Sequence, residues 1–183
     1  MSRVLALLAP GCEEMEAVIV MDVLRRGGVE VVAAGLREGV VRASRDVGLM
    51  PDVSLDRCPD VKEFDVLFLP GGLPGTEALC ADLRVRDLLL HYVANPNKRV
   101  ATICAAALVL EEHGLLEDRR FTSYPATRPK IHHGSWVDEP VVVDGDLITS
   151  QGPGTAMEFA LTLVELLVSR EVRDEVAEGM LYR

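Results

Sequence analysis

The stretch VLALLAPGCEEMEAVIVMDVLRRGGVEVVAAG, residues 4–35, decides the fold. Val4–Ala9 is a continuous apolar run, the pattern of a strand covered on both faces. Glu14 to about Arg26 carries apolar residues at helical spacing and stops at Gly27-Gly28, where glycine suits a helix end. Val29–Ala34 is a second apolar run, ended by Gly35. Strand, helix and strand in so short a span make a βαβ unit, and such units build parallel sheets.

The same grammar continues outward. Val40-Val41 and Val47–Met50 predict short strands in a hairpin excursion. Asp65–Leu69 predicts a buried strand stopped by Pro70-Gly71-Gly72. Thr76–Val93 predicts a helix in two pieces, with Asp82 capping the second. Arg99–Ile103 predicts a strand, and Ala105–His113 a helix closed by Gly114. Residues 119–140 read as irregular. Val141–Val143 and Leu147–Ser150 flank Asp144-Gly145, a hairpin signal. Thr155–Val168 and Glu171–Glu178 predict the last helices. Residues 1–183 therefore read as a single domain of the α/β class: a doubly wound, mostly parallel sheet with helices on both faces. Ligands of such sheets bind beyond the carboxyl ends of the strands. The loops expected there are Pro10–Glu16, Pro70–Gly75, Cys104–Ala106 and Gln151–Gly154.

Composition narrows the function classes. The chain has 183 residues, 49% of them hydrophobic, enough for a sizeable core. The net charge of −10 disfavours phosphate backbones, so no sequence-specific nucleic-acid binding is expected. No run of about 18 apolar residues predicts a membrane span. The opening apolar run is short, ends in Pro10-Gly11 and is followed by acidic residues, so it reads as a strand rather than a signal peptide. Cys12, Cys58, Cys80 and Cys104 form no CxxC pair, which predicts reduced thiols in a cytoplasm. His132-His133 has no third ligand at helpful spacing and reads as a surface pair, so no metal is expected.

Cys104 stands where a strand meets a helix, the topology of a nucleophile elbow without the GxSxG spelling. That position predicts a side chain thrust out of the sheet edge, a thiolate favoured by the helix N-terminus, and an Ala105 N–H free to hold an oxyanion. A buried cysteine filling space fits the spacing equally well. Glu16 extends the apolar stripe of Ile19, Val20, Val23 and Leu24, which predicts a carboxyl with a raised pKa, able to stay protonated. The alternative is a partly wet first-turn glutamate. Glu13 and Glu14 read as charges complementing the helix dipole. Gly71-Gly72 lets backbone approach a ligand or simply ends a strand. Thr155, after Gly152-Pro153-Gly154, suits a helix cap.

Together these segments resemble the ThiJ/PfpI superfamily, and within it the Parkinsonism-associated deglycase branch with the bacterial YajL-type proteins. The resemblance rests on Leu8–Ala17, Leu69–Gly72, Ala101–Ala106 and Thr149–Ala156, in that order along nearly the whole chain. It implies a flavodoxin-like sandwich, a homodimer and no cofactor. It implies that Cys104 is the reactive cysteine and Glu16 its carboxylic-acid partner. It also implies an oxyanion site from Gly72 and Ala105 with Gly71 beside it, Arg45 near the pocket, and Arg26 brought close by the partner subunit. The implied activity is cofactor-free conversion of methylglyoxal or glyoxal, or repair of their adducts with amino acids, proteins or nucleotides, in oxidative-stress protection. The rival reading is a redox sensor or chaperone that oxidises Cys104 with little turnover. One departure stands out. Where many members carry a His-Pro dipeptide, this chain has Tyr124-Pro125. A tyrosine is a poor general base at neutral pH, since phenols ionise near pH ~10.

Overall fold

A computed structural model of the chain describes residues 2–183. Strand β1 (Arg3–Leu8) leads through helix α1 (Glu14–Arg26) to β2 (Glu30–Gly35), the expected βαβ unit. The two strands pair in parallel with Val4 opposite Val31 and Leu8 opposite Gly35. The excursion follows as β3 (Val41–Arg42) and β4 (Gly48–Leu49), paired antiparallel as predicted. A two-residue edge strand β5 (Val53–Ser54), absent from the sequence reading, adds to β2.

The second half supplies β6 (Val66–Leu69), α2 (Leu73–Ala81), α3 (Leu83–Val93), β7 (Arg99–Ile103) and α4 (Ala107–Glu112). Helix α2 begins three residues before the predicted start, because Pro74 sits comfortably in a first turn whose N–H groups are unpaired anyway. Asp82 caps α3 as expected, accepting from the Arg84 N–H at 2.9 Å. Residues 119–140 are less irregular than predicted. They hold β8 (Arg120–Phe121), β9 (Ser135–Trp136) and a 3-10 turn at Pro125–Lys130. These strands are two residues long, too short to leave an alternation pattern. The chain closes with β10 (Val141–Asp144), β11 (Leu147–Ser150), α5 (Ala156–Leu167) and α6 (Arg170–Gly179).

Seven strands form one sheet in the order β10-β11-β7-β6-β1-β2-β5, parallel except for the β10–β11 hairpin. Alternation along the strands sends side chains to two cores. Leu5, Leu7, Leu67 and Leu69 face one side, under α2, α3 and α4. Val4, Ala6, Val66, Phe68 and Ala101 face the other, under α1 and α5, where Phe68 meets Phe159 with ring centroids 6.1 Å apart. Burial on both faces explains why these strands read as unbroken apolar runs. The carboxyl ends of β1, β6, β7 and β11 all reach one edge of the sheet, and the site lies there.

Candidate active site

Strand β7 enters the site through extended Ile103, and the chain then reverses at Cys104, whose φ is +62°. A β-carbon makes this left-handed conformation costly by roughly 1–2 kcal/mol. The surroundings hold it there: the Tyr124 N–H donates to the Cys104 carbonyl at 3.2 Å. Such strain concentrates at functional turns. Cys104→Gly is expected to be about 1 kcal/mol more stable than Cys104→Ala in urea unfolding, since glycine alone relieves the turn. Equal stabilities would show that the backbone there is unstrained.

The helix beyond is shorter than predicted. Cys104–Ala106 is a 3-10 turn, and α4 has six residues. Its dipole is correspondingly weak, and the predicted lowering of the thiol pKa does not occur. Burial pushes the Cys104 thiol up to about 12, with the Glu16 carboxylate adding to the effect, while N–H groups of Gly72 and Ala105 hydrogen-bond the sulfur and pull the other way. The junction is the sharp turn expected of it, but its Ala105 N–H offsets only part of the effect of burial on the sulfur.

Glu16 explains the rest. It lies in the first turn of α1 with no exposed surface. The Gly71 N–H donates to its Oε2 at 2.8 Å, and the Cys104 side chain lies beside it across Gly71. Its Oε1 is buried with no partner. Burial raises this carboxyl to about 7, against the opposing pull of Gly71 and Cys104. The wet-glutamate alternative is thereby excluded. When Glu16 holds its proton, its charge no longer opposes a thiolate, and its O–H becomes a donor to sulfur. The pair therefore titrates as a unit rather than as two independent groups.

Of the acidic neighbours, Glu13 serves the helix N-terminus as expected, and Glu14 has a further role. Glu13 caps α1 by accepting from the Met15 N–H at 3.3 Å. Glu14 is buried and accepts from Ser44 Oγ and the Arg45 N–H, both at 2.8 Å. Burial pushes its carboxyl up, but these hydrogen bonds and its own N–H hold it below the ordinary value. Glu14 thus pins the β3–β4 loop against α1, which delivers Arg45 to the mouth of the site. Thr155 is also reassigned: its Oγ1 binds Ser150 Oγ and the Gly152 N–H, bracing the turn before α5 instead of capping the helix.

The resulting cavity holds about 450 Å³ and is lined by Arg45, Gly72, Cys104, Ala105, Tyr124 and Lys130, among others. Tyr124 is half exposed on its rim. Gly71 lies beneath the pair, where a β-carbon would fall 2.6 Å from Cys104 Cβ and 2.7 Å from Glu16 Oε2. Arg26 is not part of this cavity. It ends α1, roughly 15 Å along the helix from Glu16, and pairs with Asp22 at 2.6 Å. His132 and His133 stay outside as well, bound through their N–H groups to Glu111. Among the described residues no cluster of His, Cys, Asp or Glu suits a metal ion. Leu73 and Pro74 belong to the expected Pro70–Gly75 loop, whereas sequence reasoning missed Lys130, because no motif marks a lining residue that supplies only a lone charge.

Comparison with known proteins places this geometry in a lineage. The DJ-1/PfpI family model matches residues 2–166. Protein dj-1beta of Drosophila melanogaster is 48% identical over 180 residues, covering 97% of this chain and 95% of that protein. Its crystal structure superimposes with a TM-score of 0.95 at 47% identity, covering all of both chains. The Caenorhabditis elegans protein named glutathione-independent glyoxalase DJR-1.2 is 38% identical, covering 91% of this chain and 89% of that one. The fold is accordingly the flavodoxin-like sandwich these relatives share, and the chain belongs to the DJ-1/PfpI family.

Proposed function

We propose that this protein is a cysteine-dependent, cofactor-free glyoxalase acting on methylglyoxal or glyoxal, and on their adducts with amino acids, proteins or nucleotides. The observation that carries the proposal is the fully buried Glu16 carboxyl set against Cys104, with the backbones of Gly72 and Ala105 lining the same cavity. A relative of similar length named a glyoxalase supports it.

The chemistry follows from the proton the pair shares. Cys104 thiolate attacks the aldehyde carbon of methylglyoxal, and Glu16 gives its proton to the new oxyanion beside the Gly72 and Ala105 N–H groups. The product is a hemithioacetal, and Glu16 is now a carboxylate. It removes the proton from C1, forming an enediolate, and returns that proton to the C2 carbon. The C1 oxygen becomes a thioester carbonyl as its proton passes to the C2 oxygen, which becomes the hydroxyl of lactate. Water hydrolyses the thioester to lactate and frees the thiol. Oxidation at C1 balances reduction at C2 inside the substrate, so no external redox partner enters. Tyr124 on the rim takes no proton in this scheme. For an adduct, attack at the carbinol carbon expels the amine or thiol before the same steps.

Purified protein is expected to turn methylglyoxal into lactate without glutathione, and stoichiometric alkylation of Cys104 should stop it. Absence of lactate, or lactate formation that survives alkylation, would sink the proposal. A homodimer and a cytoplasmic location belong to the same reading. Met15 and Val18 on α1, and Val47 and Met50 in and after the β3–β4 excursion, are exposed apolar side chains of the kind a second copy would cover.

A redox reading is favoured by the unpartnered Glu16 Oε1. Oxidation of Cys104 to a sulfinate would place an acceptor oxygen next to a protonated carboxyl. Mild peroxide followed by intact mass separates the two readings. A gain of two oxygens at Cys104 in a protein without dicarbonyl turnover favours the sensor or chaperone role.

A further inference from the structure

A second cavity of about 440 Å³ lies between α2 and α4, immediately beside the first. The two share Leu73 and Lys130 as a common wall. Glu77, Cys80 and Glu112 line the far side, with Thr76 at the base. Glu111 also borders it, but its carboxylate is taken up by the His132 and His133 N–H groups and the His133 ring. Glu77 and Glu112 form no ion pair among the described residues. Thr76 is 1% exposed, yet its Oγ1 has no hydrogen-bond partner. A buried hydroxyl left unmatched in the wall of a cavity is a group awaiting an acceptor or donor from outside the protein.

Taken together, these features define an extension of the reactive cavity. We infer that the α2–α4 groove is a subsite for the cationic arm of an adduct-bearing amino acid or peptide, a guanidinium or ammonium, held by Glu77 and Glu112 while the adduct carbon reaches Cys104. Lys130, on the shared wall, meets a carbonyl or carboxylate in the middle of such a substrate, and Thr76 meets a polar atom at the groove floor. The charges alternate along the path: sulfur, ammonium, paired carboxylates. Free methylglyoxal is too small to span it and gains nothing from the groove. Burial and the charges of Glu112 and Glu77 push the Cys80 thiol up to about 11, in keeping with negative potential there and with a thiol that stays inert.

This inference rests on the proposed adduct chemistry, but its test does not depend on turnover. Argininamide and citrullinamide are matched in shape and differ in charge. Equilibrium binding to the full chain at low salt is expected to favour argininamide by about five-fold, as two exposed carboxylates would give. In the Glu77→Gln/Glu112→Gln double variant the preference should fall to near one, while lactate formation from free methylglyoxal stays within two-fold of wild type. Both carboxylates are exposed, so the variant should fold normally. Equal binding of the two amides to wild type, or an unchanged preference in the double variant, overturns the subsite. Loss of methylglyoxal turnover in wild type with the charge preference intact would overturn the proposed function and leave the subsite standing.

Discussion

Glu16→Gln is expected to abolish turnover and to stabilise the fold at neutral and alkaline pH. The substituted amide keeps the shape and the Gly71 hydrogen bond but cannot carry a proton between C1 and C2, and acid–base groups of this kind supply roughly 10²–10⁴ in rate. The stability gain has the opposite sign because the wild-type carboxyl is misplaced as an anion. Its folded value of about 7 lies above the ordinary 4.5. Below 4.5 it is protonated whether folded or unfolded, and its full contribution to stability is present. Between 4.5 and about 7 the unfolded chain ionises first, so stability falls as pH rises. Above about 7 the loss is complete and amounts to roughly 3 kcal/mol. A neutral amide does not incur this loss. The variant should therefore melt roughly 6–12 °C above wild type at about pH 8 and within a degree or two of it at about pH 4. Parallel melting curves at both pH values would mean that Glu16 is not the buried, proton-holding group described.

The main lines of this architecture were open to a reader of the sequence because burial on both faces writes itself as unbroken apolar runs. Val4–Ala9, Asp65–Leu69 and Arg99–Ile103 each became a sheet strand within a residue of the expected limits. The hairpin expected at Asp144-Gly145 formed, with Gly145 in the left-handed region at φ +62°. The two-residue strands β5, β8 and β9 escaped notice because two residues carry no period and, unlike β3 and β4, they lie in no readable hairpin. Glu16 was legible from its stripe, since a carboxylate at a position where Val20, Val23 and Leu24 follow at helical spacing has nowhere wet to go. The Cys104 turn was legible from topology, but its ionisation was not. That depended on how deeply the sulfur is buried and on which side of it Glu16 lies, which are three-dimensional facts. The inward placement of Glu14 was hidden for the same reason: Ser44 and Arg45, about 30 residues away, supply the hydrogen bonds that make its burial tolerable.

Gly71→Ala tests whether the Cys104–Glu16 geometry itself is what matters. Gly71 does not occupy the left-handed region, so alanine brings no backbone penalty there. The added methyl group would instead fall 2.6 Å from Cys104 Cβ, 2.7 Å from Glu16 Oε2 and 2.9 Å from the Ile103 carbonyl. Contacts that short must open, and the atoms that move are those of Cys104, Glu16 and the Ile103 carbonyl. A displacement near ~1 Å at a reacting group costs about 10² in rate, so turnover should fall at least that far. Overpacking of this kind costs stability by roughly 1–3 kcal/mol, which leaves a folded protein to assay. Two neighbours calibrate the result. Gly72 has φ +86°, and its β-carbon would strike the backbone of Gly11, Cys12 and Glu13, so Gly72→Ala should lose fold and activity together. Gly152 is extended at φ 166°, and its β-carbon would lie 3.5 Å from Tyr124 and 4.0 Å from Glu16 Oε1, ordinary contact distances. Gly152→Ala should therefore keep turnover within a few-fold of wild type. If Gly71→Ala instead behaves like Gly152→Ala, with folded protein and near-normal lactate formation, then contact between Cys104 and Glu16 is not what drives the reaction.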